Sequence, residues 1–285
     1  MHTPDKKCVM SRFRQINFKW AIIALVEKFQ SLNLSANIDF DKFNQYAITL
    51  HSTTIEGSTL TEIETRLLLD EGITPAGKPL LHSLMVKDHY NALLYVIKQA
   101  AVKTTITPEF IQSINAAVMK QTGSVYQTVF GELDAAKGVF RKGNVSAGST
   151  YFVGYDKVEG LMNKLCTTLA EKMVAGISVT DKINICFDAH FDLVTIHPFY
   201  DGNKRTSRLL MNCLQLYFGL PMSIVFKEDK VAYFEAPQQT RSKEDISIFR
   251  NFLYSQYKKY LLLEIDKFDR MNSGEGKSGG YSFVF

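Results

Sequence analysis

The residues best equipped for chemistry lie in one run, His197 to Arg208, reading His-Pro-Phe-Tyr-Asp-Gly-Asn-Lys-Arg-Thr-Ser-Arg. An imidazole titrates near neutral pH and can take a proton from a hydroxyl, so His197 is the candidate base. Asp201 offers hard carboxylate oxygens of the kind that hold magnesium against phosphate oxygens. Arg205 and Arg208 follow it at spacings of four and three, which puts the three charges on one helix face. Gly202 frees the backbone for a tight turn, and a helix starting at Gly202 and Asn203 presents unpaired N–H groups and partial positive charge to an anion. Base, metal ligand and phosphate cradle fall within one loop and helix start, an arrangement suited to a polyphosphate.

Two helices must hold this run in place. Before it, Ile183, Ile185, Cys186, Phe187, Ala189, His190 and Leu193 form a broad apolar face over Asp181 to Leu193. After it, Leu209, Leu210, Cys213, Leu214 and Tyr217 recur at helical spacing. Pro198 favours an extended residue before it, which sets a helix boundary near His197.

The run resembles the signature of the Fic family, His-x-Phe-x-[Asp/Glu]-Gly-Asn-[Gly/Lys]-[Arg/Lys]-x-x-Arg, matched at His197, Phe199, Asp201, Gly202, Asn203, Lys204, Arg205 and Arg208. The resemblance implies a mainly α fold, a helical bundle with a small β-hairpin flap. It also implies transfer of AMP from ATP to a hydroxyl of a target protein. In that family's terms His197 is the base, Phe199 anchors the loop and Asp201 holds Mg2+. Gly202, Asn203 and Lys204 form the anion hole, and Arg205 and Arg208 contact the outer phosphates. The commonest members have Gly where Lys204 stands, and Ser207 replaces a frequent Gly. The death-on-curing branch shares the Lys and resembles a kinase, but it typically has Ala for Gly202 and lacks the final arginine. AMP transfer is therefore favoured over phosphate transfer. A nucleotide-binding interaction module without turnover is the reading outside the enzyme class.

Upstream, a helix over Phe40 to Ile55 is followed by Glu56 and Gly57, and Gly57 suits a helix C-cap. A carboxylate there opposes the helix dipole and calls for solvent or a cation. Ser52-x-x-x-Glu56-Gly57 resembles the family's inhibitory motif, which implies that Glu56 pairs with Arg208 in the place of the ATP γ-phosphate while Ser52 helps hold the pair.

The remaining pattern gives a helix from Phe13 to Leu32 and a capping box at Thr59 and Glu62 that starts a helix to about Asp70. Turn-rich residues follow from Gly72 to Lys78. Further helices are expected over Leu80 to Val102, with Asp88, His89 and Asn91 as polar surface, and from Thr107-Pro108-Glu109 to about Lys120. Between Gly123 and Tyr155, Val139 to Arg141 and Tyr151 to Val153 read as two short strands. By the resemblance these form the flap, where a target segment pairs along the hairpin edge. Helices are also expected over Asp156 to Val174, over Val231 to Gln239 with Tyr233 as an adenine-side contact or a core residue, and from Ser242 to Asp269. The expected divisions are 1–78 for the N-terminal helices, 79–225 for the core, 226–270 for the C-terminal helices and 271–285 for a mobile tail. In that tail Gly276-Lys277-Ser278 fails as a phosphate loop, because no strand precedes it and no helix follows.

At 285 residues, 46% hydrophobic and 22% charged, the chain can bury a large core. A net charge of +4 from 33 basic and 29 acidic residues gives little support to nucleic acid as a partner. No apolar run is long enough to span a bilayer and no signal peptide is evident, so a cytoplasmic protein without membrane association is expected. Cys8, Cys166, Cys186 and Cys213 lack metal-site spacing and read as core thiols. The partner implied by the resemblance is a protein with a Ser, Thr or Tyr hydroxyl, this chain included, and a homodimer is compatible with it.

Overall fold

A computed structural model describes residues 20–34, 39–128, 131–148 and 150–273. Cys8, the Phe13 start of the first helix and the Gly276-Lys277-Ser278 stretch lie outside them.

The helices are α1 (20–31), α2 (Phe40–Ile55), α3 (Glu62–Glu71), α4 (Leu80–Ala101), α5 (Pro108–Val118), α6 (Val158–Lys172), α7 (Val179–Ile196), α8 (Asn203–Tyr217), α9 (Lys230–Lys243) and α10 (Ile246–Ser273). Between α5 and α6 come two antiparallel pairs. Strands β1 (Val125–Thr128) and β2 (Gly131–Asp134) align Val125 with Asp134, and β3 (Ser146–Ala147) and β4 (Thr150–Tyr151) align Ser146 with Tyr151. The fold is mainly α, as expected, with two small hairpins where one was read.

Helix α8 is the axis of the bundle. It packs against α4, α5 and α7, and every residue from Arg205 to Gln215 is buried. A helix enclosed on all sides must satisfy its polar groups internally. Asn212 Nδ2 accordingly donates to the Ser223 carbonyl at 3.0 Å, and the Gln215 amide exchanges bonds with Ser223. Cys166, Cys186 and Cys213 are buried free thiols, and burial pushes Cys166 and Cys213 up to about 12.

Caps explain several helix starts. The Thr107 hydroxyl accepts from Phe110 N–H at 3.2 Å with Pro108 at the first position, and Ser178 accepts from Asp181 N–H at 3.1 Å. The capping box expected at Thr59 and Glu62 lies two residues later, where Thr61 N–H donates to Glu64 at 2.7 Å and Glu64 N–H returns to Thr61 at 3.3 Å. Leu60, 3% exposed, lies in the non-helical stretch just before this cap.

Other expectations need correction. Asp88 and His89 are not surface residues: they are 1% and 0% exposed, and Asp88 accepts from the backbone and side chain of Gln121. Val139 to Arg141 form no strand, because Arg141 N–H donates to Pro198 in the signature loop. Ser242 lies in the last turn of α9. The final helix starts at Ile246, after Glu244 in the left-handed region, with Asp245 accepting from Ser247 N–H at 2.9 Å. Met271 to Ser273, expected in the tail, continue α10. Among the described residues no helix is long and apolar enough to cross a membrane.

Candidate active site

The signature loop is pinned from inside. Phe199 is 1% exposed and packs against Phe140 with ring centroids 5.6 Å apart. Its backbone N–H donates to Asn203 Oδ1 at 2.9 Å, while Asn203 Nδ2 donates back to the Phe199 carbonyl at 2.8 Å. The Asn203 side chain therefore closes the loop, which leaves its backbone N–H to serve an anion.

Gly202 stands before α8 at φ +78, and no side chain caps the helix. A Cβ there would meet Asn115 Nδ2 at 2.7 Å and Met119 Sδ at 2.8 Å, so glycine is required by both conformation and space. Asn115, on α5, holds the turn by donating to the Asp201 carbonyl at 3.0 Å and to Thr206 Oγ1 at 3.1 Å. Nothing in its local sequence marked it out, because its partners lie 86 and 91 residues away.

Arg205 is 4% exposed. Its Nη2 lies 3.5 Å from Asp201 Oδ1 and 3.2 Å from Met119 Sδ, and its Nη1 is buried without a partner. A buried guanidinium nitrogen left unpaired is costly, and here it lies beside an uncapped helix start. Both features call for an anion.

Arg208, in contrast, has all three of its nitrogens engaged. Its Nε donates to Ser52 Oγ at 2.8 Å, Nη1 to the Tyr233 hydroxyl at 3.1 Å, and Nη2 to the Ser52 carbonyl at 3.0 Å and Glu56 Oε1 at 2.8 Å. The structure thus brings Ser52 and Glu56 onto the signature helix. Lys204 Nζ lies 3.8 Å from Glu56 Oε2 and 4.0 Å above the Phe234 ring. Burial pushes the Glu56 carboxyl up, but the Arg208 and Lys204 charges outweigh it and hold the group below its ordinary value.

Tyr233, expected on the adenine side, is 2% exposed and works on Arg208. An arginine can only donate, so the Tyr233 oxygen accepts from it. The same hydroxyl lies 2.9 Å from His190 Nε2. Burial, with the Arg208 charge, keeps His190 well below its usual range. His89 is buried with both ring nitrogens unpartnered, and burial with the Arg208 and Arg205 charges keeps it neutral too.

His197 ends α7 at φ +53, with its N–H bonded to the Leu193 carbonyl at 2.9 Å. Its Nδ1 lies 3.4 Å from the Val194 carbonyl, which leaves Nε2 as the nitrogen for proton transfer. Phe152, just after β4, stacks on the imidazole at 3.8 Å and 12°. Burial lowers the His197 pKa to about 4; Lys204, Arg141 and Arg241 add to the shift and the Val194 contact opposes it. The ring is a neutral base across the physiological range.

The Fic/DOC family profile matches residues 105–215. A relative from Aedes aegypti named protein adenylyltransferase Fic is 31% identical over 204 residues, covering 71% of this chain and 38% of the relative. One of the same name from Drosophila erecta is 33% identical over 185 residues, covering 65% and 34%. The chain thus spans little more than a third of the length of these curated relatives. Among solved structures, a Fic domain containing signaling protein from Bacteroides thetaiotaomicron superposes with a TM-score of 0.74 at 25% identity, over 87% of this chain and 97% of that one. Fic-1 from C. elegans has the same fold, with a TM-score of 0.74 at 20% identity over 94% and 77%. Residues 105–215, which include the loop, the uncapped helix and both arginines, are a Fic/DOC family domain.

Proposed function

We propose that the chain is a protein adenylyltransferase that moves AMP from ATP to a hydroxyl of a target protein and is restrained by its own Glu56. The observation that carries this reading is the unpartnered Nη1 of Arg205 beside the uncapped start of α8, a ready cradle for phosphate oxygens. The relatives' shared name supports AMP as the transferred group.

His197 takes the proton of the target hydroxyl. The hydroxyl oxygen bonds to the α-phosphorus as the bond to the bridging oxygen of the β-phosphate breaks, and pyrophosphate leaves. The first N–H groups of α8 stabilise charge on the phosphates without reorganising, as preorganised donors do. Asp201 fits Mg2+ only as an ion shared with phosphate oxygens. It is a lone carboxylate, its side chain is 56% exposed, and among the described residues no cluster of three or more His, Cys, Asp or Glu could hold a metal alone. When bound there, Mg2+ neutralises charge on the transferring phosphates.

With Glu56 on Arg208, the outer phosphate loses its guanidinium and the nucleotide is not held for in-line attack. The expected target side chain is Ser, Thr or Tyr, and the chain itself is a substrate to assay first. The test is incubation of Glu56→Gly with ATP labelled at either the α- or the γ-phosphate. Protein labelled from the α position only, and lost in Glu56→Gly/His197→Ala, supports AMP transfer. Label from the γ position alone makes the protein a kinase, and no label from either makes it a binding module.

A further inference from the structure

The sequence marks Arg141 only as the end of an expected strand, yet it is among the most deeply buried large side chains, at 2% exposed. No carboxylate offsets its charge among the described residues, and burial pulls its pKa down. A buried cation without a counter-ion is costly and needs a compensating role. Three backbone carbonyls converge on the guanidinium. Nε donates to His197 at 2.8 Å, Nη1 to Gly143 at 2.9 Å and Nη2 to Val153 at 2.5 Å. Its own backbone N–H donates to Pro198 at 2.9 Å.

Gly143 and Val153 flank the β3–β4 hairpin, so Arg141 ties both of its arms to the backbone of the base. The carbonyl it grips belongs to a residue in the left-handed region, which is uncommon for a side chain bearing a Cβ. The residue next to Val153 is Phe152, whose ring lies flat on the His197 imidazole. One guanidinium therefore fixes the backbone of the base and seats the ring that covers it.

We infer that Arg141 is a positioning residue for the transfer reaction: it couples the seating of the flap hairpin to the orientation of His197. The inference rests on the adenylyltransferase reading only for its kinetic consequence. Lysine at 141 keeps the charge but cannot fork to three carbonyls.

The test is Arg141→Lys in the Glu56→Gly background, followed by self-labelling from α-labelled ATP and by proton NMR of the His197 ring. The labelling kcat should fall about 10- to 100-fold with KM for ATP held within about twofold. The upfield ring-current shift that Phe152 imposes on the His197 ring protons should be lost. An unchanged kcat, or a ring-current shift that persists, overturns the inference. Should Arg141→Lys not fold, Phe152→Leu carries the test: a fall in kcat at constant KM sustains the coupling, and an unchanged kcat overturns it. If Glu56→Gly shows no labelling at all, the adenylyltransferase reading fails, while the ring-current shift in Arg141→Lys still decides the positioning.

Discussion

Glu56 Oε1 accepts a hydrogen bond from Arg208 Nη2 at 2.8 Å across 152 residues of sequence. The pair resolves a local conflict, since a carboxylate just beyond the C-terminal end of α2 is repelled by the helix dipole unless a cation faces it. Two do, Arg208 and Lys204. Because the folded-state pKa of Glu56 is depressed, its contribution is fully present above the unfolded value and is lost as pH falls through the lower folded value. The contact is therefore not opened by pH within the neutral range, and of pH changes only acidification weakens it.

Ser52→Ala removes the acceptor for Arg208 Nε and leaves a buried charged donor unpaired. A loss of about 1–3 kcal/mol of stability is expected, read by chemical denaturation, together with basal transfer between those of wild type and Glu56→Gly. A stability change below about 0.5 kcal/mol would show that Ser52 does not hold the pair.

Lys204→Ala should behave differently. Its ammonium lies 3.8 Å from Glu56 on a side chain 35% exposed, where solvent screening limits such a pair to about 0–1 kcal/mol. Stability should scarcely change and basal labelling should rise far less than in Glu56→Gly, because Arg208 still holds the carboxylate. Labelling as strong as that of Glu56→Gly would make Lys204 the principal partner.

Histidines that burial holds neutral, His197 among them, make the fold sensitive to acid. Burial depresses His51 to about 4, against the opposing Glu228 charge, and keeps His89 and His190 well below the ordinary value. The unfolded chain protonates each below about 6.5 while the folded chain does not, so stability is complete above that pH and falls below it. Each histidine contributes a slope of up to about 1.4 kcal/mol per pH unit below about 6.5, down to its own folded-state value. Denaturant unfolding at pH 7.5, 6 and 5 measures it, and equal stability at all three contradicts the neutral assignment.

The helices and the signature loop were legible because each rests on local signals: apolar spacing, Pro198, Gly202 and the cap at Thr107. What escaped reading depends on partners distant in sequence. Asp88 and His89 look like surface residues until α8 and Gln121 close over them. Tyr233 shows its role only when Arg208 and His190 meet at its hydroxyl. Arg141 resembles a strand residue in a glycine-rich hairpin, and only the fold reveals three carbonyls around it. The capping box read at Thr59 and Glu62 forms instead at Thr61 and Glu64.

The most direct measurement is the initial rate of α-phosphate label transfer to protein at saturating ATP, with wild type and Glu56→Gly compared side by side. If Glu56 and the outer phosphate compete for Arg208, Glu56→Gly is expected to transfer at least about tenfold faster, which corresponds to about 1.4 kcal/mol. Equal rates in the two proteins would contradict that competition.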